Sequence, residues 1–397
     1  MTASTELDRL CAELGLAEVP ASWRATWNLT ATFDDDMPVL DPSWVAAAGQ
    51  AIGLEAEATR ALGDAASELA QRPGLIRLMR HCHHELFVAR EPAPGSWPTL
   101  PGTSAADRLF HALVLLSGWP RLERRHRARG IPSDITRATL ADFAMRLREH
   151  QRKHGQWGLD AHGWLSRHFR DRIYQLGRLQ FETAGAEKTV HVYQDDDGEV
   201  ALLAAPGSAF RADGLLASAF AGDAPVAFTA ALSIDAVRIV GHPFDRDGLV
   251  RAEPIVLDAR RWRCVLRPGD PVLAVHITAY GPMDDAACSA SFAQALDFFP
   301  KHVPEHPFAA FTCVSWLMDG QLARWLPADG NIVRFLRRYH LFPIEGADAT
   351  QHFERIFGGA VDLATAPQAT QLQRVLVAHL RAGGRWHRGG GLILRGG

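Results

Sequence analysis

The sequence predicts a mixed α/β (α+β) protein: a mainly helical N-terminal domain over residues 1–154, then a mixed sheet flanked by helices over 155–397. Three observations predict it. At 397 residues the chain exceeds what one ordinary hydrophobic core organises, so two domains are the default. Apolar residues recur at helical spacing through the first third. After about residue 155 the period drops to two, with glycine-bearing turns, and then returns to 3.6.

In the first domain, Leu7, Leu10, Cys11 and Leu14 lie on one helical face, and Trp44–Ala70 is an alanine-rich stretch with few β-branched residues. A proline-rich loop over 90–103 separates it from a buried helix at Leu109–Leu116. Thr139–His150 carries Leu140, Phe143, Ala144 and Leu147 on one side. In the second domain, a strand is expected over Ile173–Glu182. Val190–Tyr193 and Glu199–Leu203 flank the turn Asp195-Asp196-Asp197-Gly198, where glycine supplies positive φ. Ala236–Val240 is a further strand. Arg261–Leu266 and Pro271–Thr278 flank a second turn, Arg267-Pro268-Gly269-Asp270. Asp284 or Asp285 then caps a helix bearing Cys288, Ser291, Phe292, Ala295 and Phe298. A buried strand (Phe308–Trp316), a helical segment (Gln321–Tyr339), a strand-like Leu341–Ile344 and a helix at Pro367–Arg381 follow.

Charge excludes one class of function. With 42 basic and 45 acidic residues and a net charge of -3, the chain lacks the concentrated basic surface that nonspecific nucleic-acid binding needs. The local run Arg121–Arg129 reads first as a solvated helix end. Five cysteines without paired spacing fit a reducing compartment better than a disulfide framework. No segment has the uninterrupted apolar length of a membrane span, and the first residues lack signal-peptide character. The expectation is a cytoplasmic protein with no membrane or nucleic-acid partner.

The segment richest in chemistry is Val272–Thr278, running through Ala279-Tyr280-Gly281-Pro282-Met283 into the helix at Asp284. A buried strand feeding a glycine-bearing loop and a helix start gathers backbone N–H groups and a positive dipole end around one point, as an anion site does. Two other features carry less. His81, Cys82, His83 and His84 include two same-face histidines, but no second cluster completes a zinc set, so a helix-surface role is expected and no metal. The glycines of 383–391 read as a flexible turn before a short strand at Leu392–Arg395.

Taken in order, Leu176–Glu182, Arg267–Asp270 leading into Val275-His276-Ile277, Gly281-Pro282-Met283, Cys313–Asp319 and Leu326–Ile332 resemble the bacterial acyltransferase family that joins an N-acyltransferase N-terminal domain to a GNAT-like C-terminal domain. The resemblance implies acyl transfer from a thioester, acyl-CoA or acetyl-CoA, to an amine on a small molecule or peptide. It further implies that the strands at Val272–Thr278 and Phe308–Trp316 splay apart around the donor's pantetheine arm. Donor contacts would then come from Ile277, Thr278, Gly281, Met283, Asp284 and Ser315. The attacking amine must lose a proton, so a base is required. His276, mid-strand at the splay, and Glu182 are the candidates, with Tyr280 as proton donor to the leaving thiolate. Each of these residues also has an ordinary packing or hydrogen-bonding role open to it. Cys313, without a neighbouring base, reads as a buried thiol. The usual glycine signature for pyrophosphate, Gln/Arg-x-x-Gly-x-Gly, is absent. That absence favours an alternative, a non-catalytic GNAT-like binding or scaffold protein. A third reading is a tailoring enzyme acting on a peptide or carrier protein, with Arg121–Arg129 meeting an acidic surface.

Overall fold

A computed structural model describes residues 3–30, 36–89, 97–220, 222, 225–279, 281–349, 353–357 and 362–396. The chain forms two compact units, Met1–Leu176 and Gly177–Gly397. The expected division at 154/155 would have assigned the last helix and strand of the first unit to the second.

The first unit is helical: α1 (Ala3–Leu14), α2 (Ala21–Thr26), α3 (Pro42–Ile52), α4 (Ala56–Leu69), α5 (Pro73–His83), α6 (Ala105–Ser117), α7 (Trp119–Ala128), α8 (Ser133–His154) and α9 (His162–Phe169), closing with the strand β1 (Ile173–Leu176). Helix α6 is its centre. It starts with a capping box, Ser104 and Asp107 each bonding the other's backbone amide, and every residue from Leu109 to Ser117 is buried. A helix apolar on all sides belongs inside a bundle. The long helix expected over Trp44–Ala70 is two helices, because Gly53 adopts φ 80° and ends α3 in a left-handed cap.

The histidines at 81 and 83 are not on a helix surface as expected. Both are buried, with His81 Nδ1 2.9 Å from Thr30 Oγ1 and His83 Nδ1 2.7 Å from Ser117 Oγ. The amphipathic face of α5 turns them inward with Leu75, Leu78 and Met79. Nor is the basic run of α7 merely a solvated end. Leu122 and His126 are buried, and Arg125 and Arg129 reach the carboxylate of Asp171 at 3.6 and 2.6 Å.

Two buried imidazoles make the first unit acid-sensitive. Burial lowers the pKa of His81 to about 3 and that of His111, stacked on His162 at 4.1 Å, also to about 3. Between about pH 6.5 and 3 the unfolded chain takes up protons that the folded one refuses. The stability is therefore intact above the unfolded value and falls as pH falls. Each histidine should cost about 1.4 kcal/mol per pH unit in that window. Urea midpoints measured at pH 7.5 and pH 5 test this; unchanged midpoints with His81 and His111 intact would contradict it.

The second unit runs β2 (Leu179–Gly185), β3 (Val190–Gln194), β4 (Val200–Ala204), β5 (Ala209–Phe210), β6 (Phe228–Thr229), β7 (Leu232–Ile234), β8 (Arg238–Gly241), β9 (Ile255–Asp258), β10 (Arg263–Leu266), β11 (Pro271–Ile277), α10 (Asp285–His302), β12 (Ala310–Ser315), α11 (Leu322–Trp325), α12 (Asn331–Leu336), β13 (His340–Phe342), α13 (Phe353–Phe357), α14 (Gln371–Arg381) and β14 (Gly389–Leu394). Its main sheet has the order β2-β11-β12-β14-β13. The β11/β12 pair is parallel and its other pairs are antiparallel. Smaller sheets are β10-β3-β4, β5-β6 and β7-β8-β9.

The turn at Asp195–Gly198 forms as the sequence predicts: Asp195 Oδ1 accepts from the amides of Asp197 and Glu199, and Gly198 has φ 87°. The turn at Arg267–Asp270 joins two different sheets, since β10 pairs with β3 and β11 with β2. The helix expected over Gln321–Tyr339 is broken into α11 and α12 around Pro327. The largest correction concerns the C-terminal glycines. Gly389–Gly391 are not a flexible turn but the start of an inner strand, β14, between β12 and β13. A Cβ at Gly389 would sit 2.2 Å from the Met318 carbonyl oxygen, and one at Gly390 2.2 Å from the Phe342 ring. Close approach, rather than flexibility, is why they are glycines.

Candidate active site

The site is built by an interrupted ladder. Strand β11 pairs with β2 along its whole length, from Pro271↔Gly185 to Ile277↔Leu179. With β12 it pairs only at Val272↔Ala310, Leu273↔Phe311 and Ala274↔Thr312. Strand β12 nevertheless stays paired with β14 as far as Ser315↔Gly389. Beyond Ala274 and Thr312, each strand is thus held on its outer side alone. Val275–Ile277 and Cys313–Ser315 border an opening inside the sheet. Ser315 helps end β12: its hydroxyl accepts from the amide of Leu317 and starts a short 310 turn.

Strand alternation sorts the side chains around this opening. Phe181 lies on one face, with ring centroids 5.8 Å from Phe292 of α10 and 5.7 Å from Phe311. Helix α10 covers that face. Register places Ala274 opposite Glu182 and His276 opposite Gln180, so Gln180, Glu182, His276 and Thr312 share the other face. Gln180, Glu182 and Thr312 are buried. His276 Nε2 lies 2.9 Å from Glu182 Oε2, with side-chain exposures of 27% and 7%. With Glu182 ionised it can only accept, and in that state Nε2–H of His276 donates to it, the tautomer whose basic lone pair is on Nδ1.

The loop that follows β11 is fastened by Arg178. Its Nη1 donates to Thr278 Oγ1 (3.0 Å), its Nη2 to the Gly281 carbonyl (3.0 Å) and its Nε to the Pro282 carbonyl (2.9 Å). Arg178 is itself anchored, its backbone amide donating to Ser291 Oγ of α10 at 2.7 Å. Gly177 before it has φ 63°, and a Cβ there would sit 2.8 Å from the same hydroxyl. Turn, loop and helix are therefore one hydrogen-bonded assembly.

At the start of α10, Asp284 Oδ1 accepts from the amide of Ala287 at 2.8 Å. Arg338 holds Asp285, bonding its carbonyl at 3.0 Å and its carboxylate, and donates to Ser289 Oγ at 2.7 Å. The two acids that would repel a phosphate are thus engaged. Arg178 and Arg338 add positive charge to the dipole end of the helix. These residues fit a thioester substrate with an anionic carrier. The carboxylate cap on Ala287 leaves anion contact to the guanidinium groups and the other first-turn amides.

Of the sequence candidates, His276 and Glu182 meet directly. Ile277, Thr278, Gly281 and Met283 lie on β11 and its loop, and Gly281 takes φ 66°. Asp284 serves as helix cap and Ser315 as the cap beyond β12. Tyr280 lies outside the described residues. Burial pushes the Cys313 thiol up to about 12, which removes it as a nucleophile. Sequence reasoning missed Arg178, Gln180, Thr312 and Arg338. Arg178 alone had a signal, an arginine directly after a turn glycine.

A mixed sheet whose parallel β11/β12 pairing stops partway, with a helix start beyond the break, fits the GNAT-like class of fold, and here the His276–Glu182 pair lies beside the break. The chain belongs to the family with the GNAT-like C-terminal domain, whose model matches residues 173–393; the N-acyltransferase N-terminal domain matches residues 46–170. Solved structures agree. One is an acyltransferase in complex with decanoyl-CoA, with a TM-score of 0.67, 25% identity and all of both chains covered. A second is an acyltransferase in complex with decanoyl-CoA and teicoplanin, with a TM-score of 0.68, 24% identity and 98% of each chain covered. A third, an acyltransferase mutant with octanoyl-CoA, has a TM-score of 0.68 and 23% identity over 98% of this chain and 99% of that one. A search of curated proteins returns no match.

Proposed function

We propose that this chain moves an acyl group from an acyl-CoA thioester to an amine on a small molecule or peptide. The observation that carries the reading is the coincidence of the broken β11/β12 ladder with the His276–Glu182 pair. In this reading His276 Nδ1 takes the proton of the attacking amine. The carbon–nitrogen bond forms, the carbon–sulfur bond breaks, and the departing thiolate gains a proton. Glu182 orients the imidazole and stabilises its cationic form. Backbone N–H groups at the opening face the developing oxyanion. Thr278 and Gly281, fastened by Arg178, shape the donor's path, and Tyr280 is the proposed proton donor.

The ligands of the solved neighbours make octanoyl- and decanoyl-CoA the first donors to try and teicoplanin the first acceptor. Titration calorimetry with acetyl-, octanoyl- and decanoyl-CoA should show one donor site per chain, and mass spectrometry an acylated amine. Absence of binding to all three donors would overturn the reading. Binding without turnover on any amine would return the scaffold alternative. The described residues include no helix long and apolar enough to cross a membrane. The five cysteines form no disulfide, which supports the cytoplasm as the working compartment.

A further inference from the structure

We propose a second site, independent of the acyl-transfer reading, at the C-terminal end of α8: a three-ligand Zn2+ centre formed by His150, His154 and Asp160. Among the described residues this set brings one ligand atom from each residue within 4.8 Å of the others. His150 and His154 are one helical turn apart on α8, their rings 4.5 Å between centroids. Asp160 arrives through the turn after the helix. Its Oδ1 lies 3.5 Å from His150 Nε2 and its Oδ2 3.5 Å from His154 Nε2. The edge of a tetrahedral zinc site with bonds near 2.0–2.1 Å is about 3.4 Å. Each histidine therefore already stands at coordination length from one of the two Asp160 oxygens, and a small rotation of the carboxylate would let a single oxygen serve both.

Two further observations point to a ligand rather than to an incidental cluster. His150 Nδ1 lies 2.9 Å from the carbonyl oxygen of Gln156. A carbonyl only accepts, so Nδ1 carries the proton and the Nε2 lone pair is turned toward Asp160. In the neutral imidazole that sets a lone pair against a carboxylate oxygen, an arrangement resolved either by a proton on Nε2 or by a bound cation, which metal titration tells apart. A backbone carbonyl on the far nitrogen is also the usual outer partner of a metal-bound histidine. The turn is shaped to the same end. Gly155 caps α8 with φ 71°, and Gly158 passes so close that a Cβ there would lie 2.3 Å from the His150 ring. Two imidazoles and one carboxylate suit Zn2+ among physiological cations, with the fourth position left to water. The site would tie the 155–160 turn to the helix end and is open to solvent, as His154 and Asp160 are exposed.

Zn2+ alone is the probe, titrated by calorimetry into chelator-treated full-length protein at pH 7.5, with Co2+ absorption as a second readout. The expected result is one Zn2+ per chain, a tetrahedral Co2+ spectrum and a raised melting temperature. His154→Ala and Asp160→Asn should each weaken binding by at least about tenfold, since even outer contacts of a metal site are worth 10–100-fold. Both positions are on the surface, so the variants should fold. Circular dichroism without metal checks that they do. No Zn2+ binding, or binding that survives the double replacement of His150 and His154, would mean an ion pair only and sink the proposal.

Discussion

Replacing His276 by alanine is expected to lower kcat by about 10²–10⁴-fold, the usual contribution of a positioned general base. KM for the acyl-CoA should stay within about threefold, because in the proposed mechanism the imidazole acts on the acceptor's proton and not on donor binding. Glu182→Gln should give a smaller loss of the same kind. It retains the size of the side chain beside His276 Nε2 but removes the charge that favours the imidazolium. Initial rates with donor and amine varied independently check both. Added imidazole should recover part of the rate of the alanine variant and none of the glutamine variant's deficit. Full activity in both variants would remove the pair from the mechanism and leave the broken ladder as a binding feature alone.

The second large effect concerns stability. Asp171 is fully buried, with a side-chain exposure of 0%. Its carboxylate accepts from Arg129 at 2.6 Å and Tyr174, and lies 3.0 Å from His126 Nε2 and 3.6 Å from Arg125. Burial opposes its ionisation, yet the bonds from His126 and Tyr174 and the Arg129 charge outweigh that and hold its pKa below the usual range. Its stabilisation is therefore present above the ordinary carboxyl value and is lost as pH falls through the lowered one. Asp171→Ala would leave the surrounding cationic groups with no buried counter-charge, at a cost of about 3–5 kcal/mol. Asp171 also has φ 61°, a backbone state that asparagine tolerates better than alanine. Asp171→Asn thus separates the charge from the backbone. Denaturant melts of the two variants should both fall well below the parent, with alanine the lower. A parent-like midpoint for alanine would show that Arg125 and Arg129 find other partners at no cost.

Periodicity exposed α1, α3, α4, α6 and α8 of the first unit and the strands around the two aspartate-glycine turns, because one buried face per element leaves a mark every 3.6 or two residues. It also located the strand–loop–helix around His276. It could not reveal register. That Glu182 stands diagonal to His276 depends on β2 pairing with β11 at Ala274, a contact between residues 94 apart in sequence. The glycines of β14 misled for a related reason, since small residues in a tight sheet centre and in a loose turn have the same composition. Arg178 was hidden because its three acceptors lie about a hundred residues away. Asp171 and Asp160 gave no warning either, their partners being assembled by turns whose course depends on single glycines or a single left-handed residue.

The interrupted ladder has a bearing on how this protein behaves in crowded solution. An unpaired strand edge normally invites another chain to add to it. Here the unpaired stretch lies within the sheet, walled by β2 on one side and β14 on the other. A foreign strand needs about 4.8 Å on each side and open ends to slide in, and α10 and the loop fastened by Arg178 stand at one end. In the proposed function that stretch serves a narrow extended donor with an amide or two, while the flanking strands shield it from the flat strands that seed aggregates.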